Sequence, residues 1–255
     1  MCAASSSGSP PWTGSHRIGR VSIGAVLDEA WTLFTRFFLR FFAIGLVVFA
    51  VVNLLYALVV AAIDAEDGAA AVWLTLLGLA TAVVGVTWLQ GAFVYAVQDA
   101  RDGSFDTSLR DVFARVSPSL LPLLVAGFLA GLGIAFGLLL LIVPGLFLMT
   151  IWAVIAPVIV IEKRPPFGAF GRSRELVRGH GWTVFAIVVI TGLLTGIASG
   201  LLQAAFSFLP RFLEILIGGT IAQAVVAPFS AIALAITYFR LRDAHGGEPA
   251  AAADA

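Results

Sequence analysis

Charge is what this sequence has least of. Only 12% of its 255 residues are Asp, Glu, Lys or Arg, about half the share in an ordinary soluble domain. With 60% hydrophobic residues, that scarcity excludes a soluble globule. Net charge is zero, which removes any bulk electrostatic case for nucleic acid. The single cysteine, Cys2, excludes an intrachain disulfide and any multi-cysteine zinc site. His16, His180 and His245 lie outside the apolar runs and far apart in sequence. No metal-ligand spacing and no catalytic triad can be drawn from them, and no cofactor is expected. Residues 1–17, rich in Ser, Gly, Ala and Pro, read as a disordered tail and not as a signal peptide. A lipoprotein cysteine would need an apolar leader, and only Met1 precedes Cys2.

What is present is a plan told three times: amphipathic helix, spanning helix, short turn, spanning helix, charged exit. From Ile23 to Phe38, Ile23, Val26, Leu27, Ala30, Leu33, Phe34 and Phe37 share one side, with Asp28, Glu29, Thr32, Thr35 and Arg36 opposite. The first span covers Phe41 to Ile63, and the acidic loop Asp64 to Gly68 ends it. The second runs from Ala69 to Val97 and closes on Gln98, Asp99, Arg101 and Asp102, with Gly103 as a stop. A second interfacial helix, capped by Thr107 or Ser108, repeats Leu109, Val112, Phe113 and Val116 at helical spacing.

No charge then appears from Leu120 to Ile161, 42 residues or about two spans, so Pro144-Gly145 is expected to turn the chain between the third and fourth. The fourth, Gly145 to Ile161, has 17 residues and reaches about 25 Å, near the lower limit for a bilayer. Glu162, Lys163 and Arg164 end it, because a charge at membrane depth costs about 3 kcal/mol. Pro165 and Pro166 start a third interfacial helix. On it Ala169, Phe170, Ser173, Leu176 and Val177 face one way, and Arg172, Arg174, Glu175 and Arg178 the other. Trp182 sits where an indole favours the headgroup level. The fifth span runs from Gly181 to Leu209, Pro210-Arg211 turns, and the sixth runs from Phe212 to Phe239.

The expected fold is therefore all-α: a polytopic membrane protein with six transmembrane helices in three hairpins. It forms one integral membrane domain over 18–242, followed by a flexible tail over 243–255. Fourteen of the fifteen Lys and Arg residues fall on one side of this topology. By the positive-inside rule that side is cytoplasmic, and both termini are with it.

Lys163, Arg164, Arg172, Arg174 and Arg178 place five cations within 16 residues of that face. They are the candidate contacts for anionic lipid. Asn53, Gln90, Gln203 and Gln223 are neutral polar groups inside the spans and are expected to bond between helices. Gly127/Gly131, Gly133/Gly137 and Gly192/Gly196/Gly200 have the spacing for close helix packing, Pro157 and Pro228 are expected to kink their helices, and Glu214 is read as an interfacial carboxylate.

Val143-Pro144-Gly145-Leu146, Trp152, Ala156-Pro157-Val158, Glu162, Ala169, Arg172-Ser173, Leu176-Val177-Arg178-Gly179 and Trp182 together resemble the signature of the glycerophosphoryl diester phosphodiesterase membrane-domain family. The resemblance covers most of Ile18 to Arg242. It departs at Tyr238-Phe239-Arg240-Leu241-Arg242, where the family tends to have an acidic residue. It implies a six-helix module of the bacterial plasma membrane, joined in some proteins to a phosphodiesterase domain. That chemistry needs a His pair with acidic metal ligands, and the sequence has neither. The expectation is a non-catalytic protein that organises membrane lipids or lipid-related partners at the cytoplasmic face, its protein partner unknown. The alternative is a transporter or lipid-handling permease.

Overall fold

The computed structural model describes residues 22–101 and 109–245. Every regular element among them is helical: α1 (Ile23–Arg36), α2 (Phe38–Asp64), α3 (Gly68–Arg101), α4 (Leu109–Leu140), α5 (Ile142–Ile151), α6 (Ile155–Glu162), α7 (Pro166–Val177), α8 (Gly181–Ala205), α9 (Arg211–Leu213), a π-helical segment (Glu214–Gly219) and α10 (Thr220–Ala244). Six stretches are long and apolar enough to cross a membrane: α2, α3, the run Ala114–Leu140 within α4, α5 with α6, α8, and α9 through α10. The protein is an all-α polytopic membrane protein of three hairpins. The tail expected over 1–17, nearly all of the 243–255 tail, the Gly103 stop and the Thr107 or Ser108 cap lie outside the described residues.

Neighbouring helices close a ring: α3 packs on α2, α2 on α10, α10 on α8, α8 on α5, α5 on α4, and α4 on α3. At one end α6 touches α3, α4, α7 and α10, and there the packing is dense. Phe41, Phe93, Val97, Ile159, Leu176, Ile236, Tyr238 and Leu241 are all buried in this half. In the other half Leu138 to Val143 and Leu193, Leu194, Ile197 and Leu201 face outward, as suits helices whose far surface meets acyl chains and not water. The dense end carries twelve Lys or Arg and seven Asp or Glu among the described residues, and the other end one and four. Six crossings put both described chain ends at the dense end, and Arg240 there hydrogen-bonds Glu29 across 211 residues.

Local chemistry explains most boundaries. Asp67 accepts a hydrogen bond from the Ala70 amide at 3.0 Å and caps α3, so the acidic loop after α2 serves as a helix start. Pro165 and Pro166 open α7, where a missing N–H costs nothing. The amphipathic arc read on α7 holds: Ala169, Ser173, Leu176 and Val177 are buried, while Arg174, Glu175 and Arg178 are exposed.

Three expectations are corrected. The chain does not reverse at Pro144-Gly145; it reverses at Leu141, the one extended residue (φ −160°, ψ 141°) between α4 and α5. Proline is tolerated in a first turn, so Pro144 sits inside α5, and Gly145 lets α5 approach α4. A Cβ on Gly145 would meet Leu138 Cγ at 2.4 Å, and one on Gly137 would meet the Gly145 Cα at 3.0 Å. The fourth span is not one helix, because α5 and α6 are separated by Trp152, Ala153 and Val154. Pro157 causes this one turn upstream, since a proline ring clashes with the carbonyl four residues earlier, that of Ala153. The interfacial helix expected near Leu109 to Val116 is not separate but the first part of α4, which continues through Pro118 and Pro122. Pro228 likewise stays within an unbroken α10.

The glycine motifs divide. Gly133 closes on Trp152 and Gly137 on Gly145, whereas a Cβ on Gly127, Gly131, Gly192, Gly196 or Gly200 would meet nothing within 4 Å. The polar residues divide too. Asn53 donates to the Phe49 carbonyl (2.9 Å) and accepts from Gln223 (3.5 Å), joining α2 to α10. Thr220 donates to the same carbonyl at 3.4 Å. Gln203 instead bonds Ser199 in its own helix, and Gln90 is exposed.

Candidate functional site, the charged face of the bundle

Where α6 leaves the membrane its last residue, Glu162, turns inward, and its side chain is only 5% exposed. Burial of an unpaired carboxylate is costly, and three donors offset that cost. Arg164 reaches it at 3.0 Å, Arg172 at 3.3 Å from α7, and the Tyr238 hydroxyl at 3.1 Å from α10. Glu162 thus serves as the shared acceptor of Arg164 in the α6–α7 connection, Arg172 of α7 and Tyr238 of α10. Arg172 bonds Glu175 as well, at 3.1 Å. Burial works against its charge, but the hydrogen bond and charge of Glu175 and those of Glu162 outweigh it and hold the guanidinium above its ordinary value.

The next residue, Lys163, adopts the left-handed conformation (φ 54°, ψ 28°) that lets α6 end and α7 begin. A non-glycine residue there costs about 1 kcal/mol. Its ammonium donates to the Tyr95 hydroxyl of α3 and lies 3.5 Å from Ser119 Oγ of α4. It also sits 5.0 Å from the Tyr95 ring centroid. Tyr95 in turn donates to the Val160 carbonyl at 3.3 Å, so α3, α4 and α6 meet on one lysine.

Three further ion pairs tie the face together. Glu29 of α1 is bound by Arg240 at 2.7 Å and Arg101 at 3.6 Å, which fastens the amphipathic helix to α10 and α3. Arg115 pairs with Asp99 at 3.1 Å between α4 and α3. Arg101 and Arg242 lie over the Phe239 ring at 4.6 and 5.3 Å.

α7 is docked by a bond that the broken span makes available. The Ser173 hydroxyl, fully buried, donates to the Ile151 carbonyl at 2.8 Å, beside the break at Trp152. Trp152 and Phe170 stack edge to face 5.0 Å apart beside it. The outer surface of this region carries Phe167 and Trp182, 77% and 85% exposed.

Of the five cations read as lipid contacts, Arg164 and Arg172 are engaged with Glu162, and Lys163 with Tyr95 and Ser119. Arg174 and Arg178 are exposed and form no salt bridge among the described residues. The sequence reading missed Tyr95, Ser119, Tyr238, Glu29 and Arg240 as partners. The signal available for three of them was spacing, because Tyr95, Ser119 and Tyr238 each lie four residues from a charged residue of the same helix, Asp99, Arg115 and Arg242 respectively. His180 and His245, distant in sequence, bring their rings to 6.1 Å, and the buried His180 Nδ1 has no hydrogen-bond partner among the described residues. His16 lies outside the described residues. Among the described residues no three of His, Cys, Asp and Glu are grouped to hold a metal ion.

Residues 113–241 match the model of a family described as a domain of unknown function. No curated protein and no solved structure matches the chain.

Proposed function

The chain belongs to the family described as a domain of unknown function (DUF7847), and we propose that it is a non-catalytic, multi-pass protein of a bacterial plasma membrane that gathers anionic lipid at its cytoplasmic face. One observation carries the reading: Arg174 and Arg178 stand exposed on an interfacial helix whose other arginine, Arg172, is tied to carboxylates. The flanking Phe167 and Trp182 are the apolar anchors that such a helix needs at headgroup depth. Two cations near an anionic leaflet contribute about 1 kcal/mol each, so together they enrich acidic headgroups by roughly thirtyfold. The charge bias supports a cytoplasmic placement. The resemblance to the glycerophosphoryl diester phosphodiesterase membrane domains supports a lipid-related setting.

The test is the lipid that stays with the purified protein. Replacing Arg174 and Arg178 together by Gln should reduce co-purifying phosphatidylglycerol and cardiolipin several-fold. Thermal stability in neutral detergent should change by no more than about 0.5 kcal/mol. Equal lipid retention by parent and variant would leave these arginines with a topological role alone. A second reading, a lipid-handling permease, draws on the Asn53–Thr220–Gln223 cluster beside the π-helical segment, since such segments recur at functional sites. Transbilayer movement of a fluorescent lipid by reconstituted protein, abolished by Asn53→Leu, would replace the first reading with this one.

A further inference from the structure

We propose that Lys163 is an anion-binding residue: its ammonium, held between α3 and α4 by Tyr95 and Ser119, takes one phosphate group from the headgroup region. The inference rests on the preceding reading only in placing this end of the bundle among headgroups.

Three observations carry it. First, the ammonium has a fixed position but, among the described residues, no counter-ion. Its protein partners are a phenol and a hydroxyl, and among the described residues no carboxylate lies within 4.0 Å of it, whereas Arg101, Arg115, Arg164, Arg172 and Arg240 each have one. An ammonium has three donors, and these two partners account for two. Second, Lys163 is exposed as a residue while Ser119 and Tyr95 are buried, so the undirected donor faces outward. Third, the residue holds a left-handed backbone that glycine would adopt without strain. The side chain is therefore kept at a conformational cost that ending α6 does not require.

The surroundings suit a phosphate. Arg115 lies one helical turn before Ser119 on α4, its side chain 46% exposed, and the nearby Asp99 carboxylate is already neutralised by it. A free phosphate and a lipid phosphodiester offer the same oxygens, and the two sources separate experimentally.

The experiment follows thermal unfolding of the full chain in neutral detergent during titration with dihexanoylphosphatidylglycerol, inorganic phosphate or dihexanoylglycerol. The parent should be stabilised saturably by a phosphate-bearing probe and not by dihexanoylglycerol. A response to inorganic phosphate identifies a small-anion site, and a response to the lipid alone identifies a headgroup site; either supports the assignment. Lys163→Gly keeps the backbone conformation but gives up the Tyr95 and Ser119 contacts, so its melting temperature without ligand is its own baseline, and against that baseline its apparent Kd should rise at least tenfold. Lys163→Gln provides the same comparison should the glycine variant fold poorly. Unchanged affinity in both variants, or equal stabilisation by dihexanoylglycerol, would overturn the proposal. The Arg174→Gln/Arg178→Gln variant should retain this saturable transition, so failure of the α7 reading and failure of this one are separable.

Discussion

Three donors, from the α6–α7 connection, α7 and α10, converge on Glu162, and this convergence sets different consequences for residues that look alike in sequence. Removing one partner of a fully buried ion pair costs about 3–5 kcal/mol; since Arg172 and Arg164 keep 15% and 40% of their side-chain surface, Glu162→Gln should cost less, about 2 kcal/mol. Tyr238→Phe removes one hydrogen bond to a charged acceptor and should cost about 1.5 kcal/mol. Arg174→Gln should cost almost nothing. Unfolding in mixed detergent micelles ranks the three; a loss for Arg174→Gln equal to that for Glu162→Gln would contradict the division between bound and exposed cations. Charge and periodicity place all of these residues at one face. They do not say which charged groups already have protein partners, because Glu162 and Tyr238 are 76 residues apart and Lys163 and Tyr95 are 68 apart.

At the scale of elements, spans and interfacial helices were legible because an apolar run and an amphipathic arc are local properties. Breaks were less so. Pro157 acts on the carbonyl of Ala153, and whether a proline breaks a helix depends on what else can satisfy the freed groups: Ser173 does so beside the α5–α6 break, whereas α4 continues through two prolines. Ser173→Ala should orphan the Ile151 carbonyl, cost about 1–3 kcal/mol and loosen α7, read as faster hydrogen exchange across Pro166–Val177. Exchange unchanged from the parent would show that the hydroxyl does not hold α7. The glycines provide a paired prediction. Gly145→Ala forces a methyl into Leu138 and should destabilise by about 1–3 kcal/mol. Gly196→Ala meets open space and should be neutral or stabilising by up to about 1 kcal/mol. A destabilised Gly196→Ala variant in monomeric preparations would mean that α8 packs more closely than described.

For the whole molecule, the tight end gathers charge, interfacial helices and dense packing, while the far half is a looser set of hairpins facing lipid. Each proposal about headgroups depends on which leaflet that end meets. Twelve Lys or Arg against seven Asp or Glu at one end, and one against four at the other, predict by the positive-inside rule that it is the cytoplasmic leaflet. Reporter fusions measure this directly. A cytoplasm-active reporter fused after Gly246 and a periplasm-active reporter inserted after Glu66 should both be active, with the exchanged reporters silent. A periplasm-active reporter working at Gly246, or a cytoplasm-active one at Glu66, would contradict the account.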